Sequence, residues 1–551
     1  MMDHNPFLHS RCTIHNQGKI PSRVVTSNDP QKTFILYVTT CSLRTYENPA
    51  LDVSCALSSQ LNLPVHVHTF FDDKSLHATA RRAVFVIDSI RDLATTYKEM
   101  GISFSFQLTG WNNTSRQPAY LTMASRAAVV VTDEPFVEPH LTTMHRLKRA
   151  TRLTSTMMMT VDTSLEVPAR LVPAKDVHRA YAYRTATKLL FQKSCSVPYP
   201  TTTMNMMNNI DLDLPHQLFL DVTKYSSSHD LVKQCLYLDQ TVLPVDHTRG
   251  GQTAAKVRWS TFLKCGMQTY HKTRNDPLKQ YSHGVSRISP YLNLGILSPF
   301  KVARDCQNFK GQAVEKFLDE FAIWRGIAHC YCYHNPGHRK SAKAALPAWA
   351  YRTLQDHAVD RRHGGVLSLE VLSGGTTGQP LWDICQKSLL HNGELHNNLR
   401  MTWGKEILRW SSGPEEAYKA LLYLNDHFAL DGLSPASIAG VLWCLGWGDS
   451  PKEERHIFGR VRYRSASSIS KRYNLVMLNQ QWKTVKAGHI EGGGSLMRSF
   501  RRASSQSRSR SGGGTASGGD DSMNGGDGGT KNDDGGGGSS GSSSSINNSS
   551  S

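Results

Sequence analysis

Trp382, Trp403 and Trp410 surround Arg400 within residues 381–410. Trp403 and Trp410 are seven residues apart, so a helix places them on one face. The indole is the side chain most readily oxidised by one electron, and a row of indoles beside a redox cofactor is an electron path. Burial in a core is the commoner fate of a single Trp, and spacing alone leaves both readings open. Further upstream, Gly250-Gly251-Gln252-Thr253-Ala254-Ala255 opens a helical stretch where backbone N–H groups could approach a phosphate, or where the glycines only turn the chain. In Ser286-Arg287-Ile288-Ser289-Pro290, two serines flank an apolar step before a Pro-started helix, offering hydroxyl and amide donors to a pyrophosphate. Glu320 and Trp324, four apart, share a helix face and pair a carboxylate with an indole. The cluster His329-Cys330-Tyr331-Cys332-Tyr333-His334 with His338 fits no standard zinc spacing, so no metal site is expected.

Such residues need elements to position them. Residues 33–39, 65–71, 102–108, 127–132 and 155–161 read as buried strands, and 78–100 as an amphipathic helix ending at Gly101. Strand–helix alternation predicts a parallel α/β sheet over 33–165. No GxGxxG follows the first strand, so a dinucleotide would bind elsewhere. Residues 166–249 read as a connector, 250–485 as helical and Trp-rich, and 486–551 as a disordered Gly/Ser-rich tail with a basic segment at 498–510; residues 1–32 read as a flexible extension. The 551 residues carry a formal net charge of +18, which favours a polyanionic partner, nucleic acid first. Eleven cysteines without a CxxC pair suit free thiols in a reducing compartment. No apolar run reaches the length of a membrane span.

In their order, these motifs resemble the photolyase/cryptochrome family, with wording closest to the class II cyclobutane pyrimidine dimer photolyases. The resemblance spans about residues 33–480. It includes the Gly250–Ala255 text, Ser286 to Asn293, Leu381-Trp382, Arg400-Met401-Thr402-Trp403, Leu424-Asn425-Asp426, Leu430-Asp431-Gly432 and Phe458-Gly459-Arg460-Val461-Arg462-Tyr463. It implies a Rossmann-like α/β antenna domain followed by an all-α domain that encloses FAD. A second antenna chromophore of deazaflavin or folate type is also implied. The implied activity is repair of pyrimidine dimers in double-stranded DNA, by an electron passed from blue-light-excited reduced flavin to a flipped-out dimer. On this resemblance Gly251, Gln252, Thr253, Ala254, Ser286, Ile288 and Ser289 hold FAD, Asn425 faces flavin N5, and Arg400 and Asp431 form a buried ion pair at the ring edge. Glu320 serves the dimer carbonyls, and Trp324 and Trp443 clamp the dimer. Arg274, Asn275 and Met401 belong to the substrate pocket, and Arg460 and Arg462 to the DNA face. Trp403, Trp382 and Trp410 carry electrons, with Trp403 nearest the flavin.

The chain departs from the class II pattern at Gly326, where Glu is usual, at Thr402, where Tyr is usual, at Gly404-Lys405-Glu406, and in the loop 446–454 with its Trp447. The long tail, with Arg501-Arg502-Ala503-Ser504 as a phosphorylation-type sequence, supports an alternative: a cryptochrome-like blue-light receptor signalling without repair. A monomer is expected. The basic segment suggests the nucleus, with an organelle as the second choice.

Overall fold

The computed structural model describes residues 5–16, 34–111, 117–196, 198–200 and 215–486; the tail segment beyond residue 486 lies outside them. Six strands, β1 (Cys12–Asn16), β2 (Ile35–Thr39), β3 (Val65–Asp72), β4 (Ser103–Thr109), β5 (Val129–Asp133) and β6 (Met157–Val161), form one sheet in the order β1-β6-β5-β2-β3-β4. Strands β2 to β6 are parallel, with Ile35 opposite both Val65 and Val129. They coincide with the five strands expected. Every residue of β2, β5 and β6 is buried, which is why they read as continuous apolar runs.

The first strand was not expected. Within the segment read as a flexible extension, Pro6–His9 is helical and β1 pairs antiparallel to β6, Cys12 opposite Val161. Arg11 holds it there. Its guanidinium is buried and donates to the carbonyls of Asp162, Leu165 and Glu166. A short edge strand with one buried flank has no period to betray it.

Helices cover both faces of the sheet. Ala119–Arg126 and His140–Leu153 pack on one side against Leu36, Val38, Val130 and Met158. On the other side, Pro49–Leu61 and Ala80–Glu99 pack against Tyr37, Val67 and Val131, and the same core continues to Trp259, Phe262 and Phe317 of the helical part. Ala80–Glu99 is the helix expected over 78–100. Thr79 caps its start, and Gly101 takes the positive φ of +65° just beyond its end. From this helix Arg81 donates to the carbonyls of Leu389, Leu390 and Phe428, and Arg82 to those of Asp426 and Gly432. These charged hydrogen bonds fix the loop that precedes Asp431. The connector contains the helix Ala180–Ser196, of which Tyr183 and Thr187 are buried.

The helical part runs from Gln252–Cys265 to Leu475–Lys486. Pro380–Asn392, Pro414–Phe428 and Pro435–Cys444 each place Pro in the first turn, where a missing N–H costs nothing. Among the described residues no helix is long and apolar enough to cross a membrane.

Candidate functional site

A cavity of about 320 Å³ opens between these helices. Ser286, Ile288 and Ser289 line it from the turn into the helix Ser289–Asn293, Arg274 from just beyond Tyr270–Thr273, Arg400 from Asn397–Glu406, and Asp431 from the loop before Pro435–Cys444. Glu320 enters from a π-helical turn, Asp319–Trp324, in which the Arg325 N–H bonds the Glu320 carbonyl. One extra residue per turn re-aims side chains, and such turns concentrate at functional sites. Glu320 Oε1 accepts from Arg274 Nη2 at 2.5 Å and from Lys316 Nζ at 3.0 Å. Arg274 also donates to Asn275 Oδ1 at 3.1 Å, and the Asn275 carbonyl accepts from Asn398 and Tyr473.

Arg400 and Asp431 pair at 3.1 and 3.4 Å, with Ser289 Oγ donating to the same carboxylate at 2.9 Å. They are 15% and 18% exposed, so the pair faces the cavity and is not fully buried. An adjoining space of about 50 Å³ is lined by Asn425, Met401 and Trp403. Asn425 is buried and donates its amide N–H to Asp426 Oδ1 at 3.0 Å. Burial opposes ionisation of Asp426, but Arg339 and the Leu433 N–H prevail and hold its carboxyl below the usual range. An ionised carboxylate only accepts, so Asn425 is turned with its N–H to Asp426 and its carbonyl oxygen elsewhere.

The tryptophan row is ordered differently from its sequence. Trp382, on Pro380–Asn392, lies between the other two. Its ring stacks on Trp403 with centroids 6.0 Å apart and planes 15° apart, and meets Trp410 edge-on at 5.3 Å. Trp403 and Trp410 do not share an uninterrupted α-helical face, because Ile407–Trp410 is a 3-10 turn. Trp382 Nε1 donates to the Trp403 carbonyl and Trp403 Nε1 to Gln386. The row runs from the Asn425 space through two fully enclosed rings to Trp410, which is 8% exposed.

Trp324 and Trp443 touch edge to face at 4.8 Å. They make one angled wall, not two facing plates. Behind Trp443 stand Trp447, 6.2 Å away, and Gly448, whose added Cβ would lie 3.1 Å from the Trp443 ring. Lys405, itself buried, donates to the carbonyls of Trp443 and Cys444 and so caps that helix. Arg460 and Arg462 are exposed nearby in sequence, and Arg462 pairs with Asp449. Two departures from the class II pattern have steric causes. A Cβ on Gly326 would lie 2.1 Å from the Tyr183 hydroxyl, and one on Gly404 would lie 2.5 Å from Cys444 Sγ.

The loop from Gly250 to Ala255 is not part of the cavity wall. Gly251 N–H is taken by Ser89 Oγ and Thr253 N–H by Asp92 Oδ2, while Gln252 Oε1 accepts from Thr45. A Cβ on Gly250 would stand 1.9 Å from the Phe85 carbonyl oxygen. The two glycines let the helix Gln252–Cys265 close on Ala80–Glu99, and the Gly251 amide is spent there. Gly251, Gln252, Thr253 and Ala254, expected to hold a phosphate, therefore lie outside the wall that Ser286, Ile288 and Ser289 share. Sequence reasoning also missed the cavity residues Arg287 and Glu394, 107 positions apart and paired through two hydrogen bonds. Nothing local announces a partner at that distance. His329 Nδ1 bonds the Arg325 carbonyl, and among the described residues no group of three or more His, Cys, Asp or Glu side chains could hold a metal ion.

Three donors from cavity-lining residues are buried without a partner among the described residues: Arg400 Nε, Arg274 Nε and His396 Nε2. His396 Nδ1 accepts the Asn398 N–H, which leaves the proton on Nε2; burial, then Arg274, lower its pKa to about 4, so it is a neutral donor. Orphaned donors in an enclosed space fit a ligand rich in acceptors, such as phosphates and ring carbonyls.

Fold and site together define an α/β–helical protein with an enclosed, donor-rich cavity flanked by a tryptophan row. No family model matches the chain. A deoxyribodipyrimidine photo-lyase from Methanothermobacter thermautotrophicus is 29% identical over 447 residues, spanning 81% of this chain and 94% of its own. One from Arabidopsis thaliana is 29% identical over 456 residues, spanning 78% and 85%. Among solved structures, a Synechocystis cryptochrome superposes with a TM-score of 0.58 at 14% identity, covering 85% of this chain and 93% of that one. A Sulfolobus tokodaii photolyase containing two FAD molecules gives 0.56 at 13%, covering 86% and 100%. These structures share the fold. The chain is thus similar in sequence to deoxyribodipyrimidine photo-lyases over most of their length and shares the fold of photolyases and cryptochromes.

Proposed function

We propose that this chain is a deoxyribodipyrimidine photo-lyase: a blue-light-driven enzyme that uses FAD to split cyclobutane pyrimidine dimers in DNA. The observation that carries the reading is that Glu320 and Arg274 open on the same cavity as Ser286, Ser289, Arg400 and Asp431. A pocket for a flipped-out lesion thus adjoins donors suited to FAD, as electron transfer over short range requires. The two relatives compared over most of their length bear the photo-lyase name.

When bound, reduced FAD excited by light supplies one electron to the dimer and takes it back after the ring opens. The residues do the rest. Ser286, Ser289 and their turn hold phosphate oxygens, and Arg400 and Asp431 act as one unit at the ring edge. The carbonyl of Asn425, fixed by Asp426, accepts a hydrogen bond from a protonated ring nitrogen. Glu320, between Arg274 and Lys316, orients the lesion and the cations around it, where charge develops on the dimer carbonyls. Trp324 and Trp443 offer an angled apolar wall, which suits a flipped base that has left its stack. Exposed Arg460, Arg462 and their neighbours meet phosphates.

A second cavity, about 370 Å³, lies where β2, β3 and β4 end, lined by Thr39, Asp72, Thr109, Arg146 and Tyr120. The carboxyl ends of parallel strands are the usual ligand crevice of such sheets. This supports a second, antenna chromophore there. The test is an absorption spectrum of purified protein followed by repair of a dimer-containing oligonucleotide under blue light. Bound flavin with repair supports the reading. Bound flavin with light-dependent partner binding and no repair would replace it with the receptor alternative.

A further inference from the structure

Arg287 has a φ of +53°, a left-handed conformation that Gly, Asn and Asp adopt more easily than a long side chain. Something must hold it, and the cavity wall supplies the restraint. Its Nε donates to Glu394 Oε2 at 2.7 Å and its Nη2 to Glu394 Oε1 at 2.9 Å. Nη2 also reaches His247 Nδ1 at 2.9 Å and Thr248 Oγ1 at 3.3 Å, and the guanidinium rests 4.3 Å from the centre of the Tyr281 ring. Nη1 has no hydrogen-bond partner among the described residues.

The charges around it do not balance. Arg258 lies 4.0 Å from the same carboxylate, and its buried Nη1 lacks a hydrogen-bond partner among the described residues. Burial lowers the pKa of His247 to about 4 despite the opposing pull of Glu394, with Arg287 and Arg258 adding to the fall, so it stays neutral. Two guanidiniums therefore face one carboxylate. Elsewhere on the cavity wall, Arg400 and Asp431 neutralise each other. A positive charge enclosed without a counter-charge is costly, and an anion in the cavity offsets it. Ser286 and Ser289 stand on either side of Arg287 on the same wall. A guanidinium whose one edge is clamped by a carboxylate presents its remaining N–H groups in a fixed direction, which favours phosphate.

We propose that Arg287 is a binding residue for the pyrophosphate of the flavin dinucleotide, held in position by Glu394 and Tyr281. The assignment rests on the reading of this cavity as a flavin site and names a cation in it that the family motifs did not.

The experiment is titration of flavin-depleted full-length protein with FAD and, separately, with riboflavin, which lacks phosphate. Arg287→Asn keeps a residue at ease with positive φ and removes the charge. It should weaken FAD binding about tenfold or more while leaving riboflavin within about twofold, and flatten the salt dependence of FAD binding. Unchanged FAD affinity, or equal weakening of both ligands, overturns the assignment. Glu394→Gln supplies an opposite sign: with the competing negative charge gone, FAD should bind several-fold tighter and riboflavin unchanged. Weaker FAD binding by Glu394→Gln would mean that the pair serves structure alone. Wild-type protein that takes up neither ligand would overturn the flavin reading and this assignment with it, an outcome distinct from flavin binding that ignores residue 287.

Discussion

Trp382, Trp403 and Trp410 are enclosed in the helical core, two rings nearly parallel and the third edge-on, with the N–H groups of Trp382 and Trp403 given to a core carbonyl and a core amide. Trp324 and Trp443 are half-buried and meet at an angle, backed by Trp447 and capped by Lys405. Two ring contacts and two hydrogen bonds fix the first group and leave it no room for a visitor. The second has a free face. Close packing holds inter-ring distances constant, which an electron path needs, whereas an angled, half-open wall suits reversible stacking of a base. The same side chain thus suits two different uses, and the surroundings, not the residue type, separate them.

Changes at the open wall should therefore damage repair and spare the photoreduction of the resting flavin, and changes in the row should do the reverse. Glu320→Ala has the largest expected effect: repair of a dimer-containing oligonucleotide falls by about 100-fold or more, as when one group aimed at developing charge is removed, with photoreduction intact. Trp324→Ala should weaken binding of dimer-containing DNA by about 1–3 kcal/mol, the worth of one stacked base, measured by fluorescence anisotropy against undamaged DNA. Trp403→Phe should slow photoreduction yet leave repair by chemically pre-reduced protein unchanged, at a stability loss of about 1–2 kcal/mol from the smaller ring. Equal loss of both activities would make the row a structural feature.

The smallest effect lies in the sheet. Burial lowers the pKa of His66 and His68 to about 3, with His66 further lowering that of His68. Their unfolded value is about 6.5, so the unfolded chain takes up protons first as pH falls. Their contribution is fully present above about pH 6.5 and is lost as pH drops toward 3. His68→Leu should flatten the fall in melting temperature between pH 6.5 and 4 relative to wild type; an unchanged slope would refute this source.

Much of this was legible in the chain, for physical reasons. Strands β2, β5 and β6 are buried on both faces and so read as apolar runs, while β1 depends on Arg11 reaching three carbonyls some 150 residues away. Ser286, Ser289, Glu320, Arg400 and Asp431, named from motifs, meet in one cavity. The medial place of Trp382 was hidden because it comes from a different helix, and spacing within one helix says nothing about what inserts between. The glycines at 250 and 251 left two readings open because close approach to a helix and close approach to a phosphate demand the same residue, and the structure shows the first. Arg287 and Glu394 were invisible because their pairing exists only once the chain is folded.

On the function proposed above, the pocket of Glu320, Arg274 and the Trp324/Trp443 wall performs repair with electrons from a flavin in the same cavity. The most direct test is repair of a cyclobutane-dimer oligonucleotide by pre-reduced, flavin-loaded protein under blue light, with Glu320→Ala and Trp403→Phe alongside. Wild type and Trp403→Phe should split the dimer in light and not in the dark, and Glu320→Ala should not split it. Flavin-loaded wild type that leaves the dimer intact in light, or Glu320→Ala that repairs as well as wild type, would contradict that function.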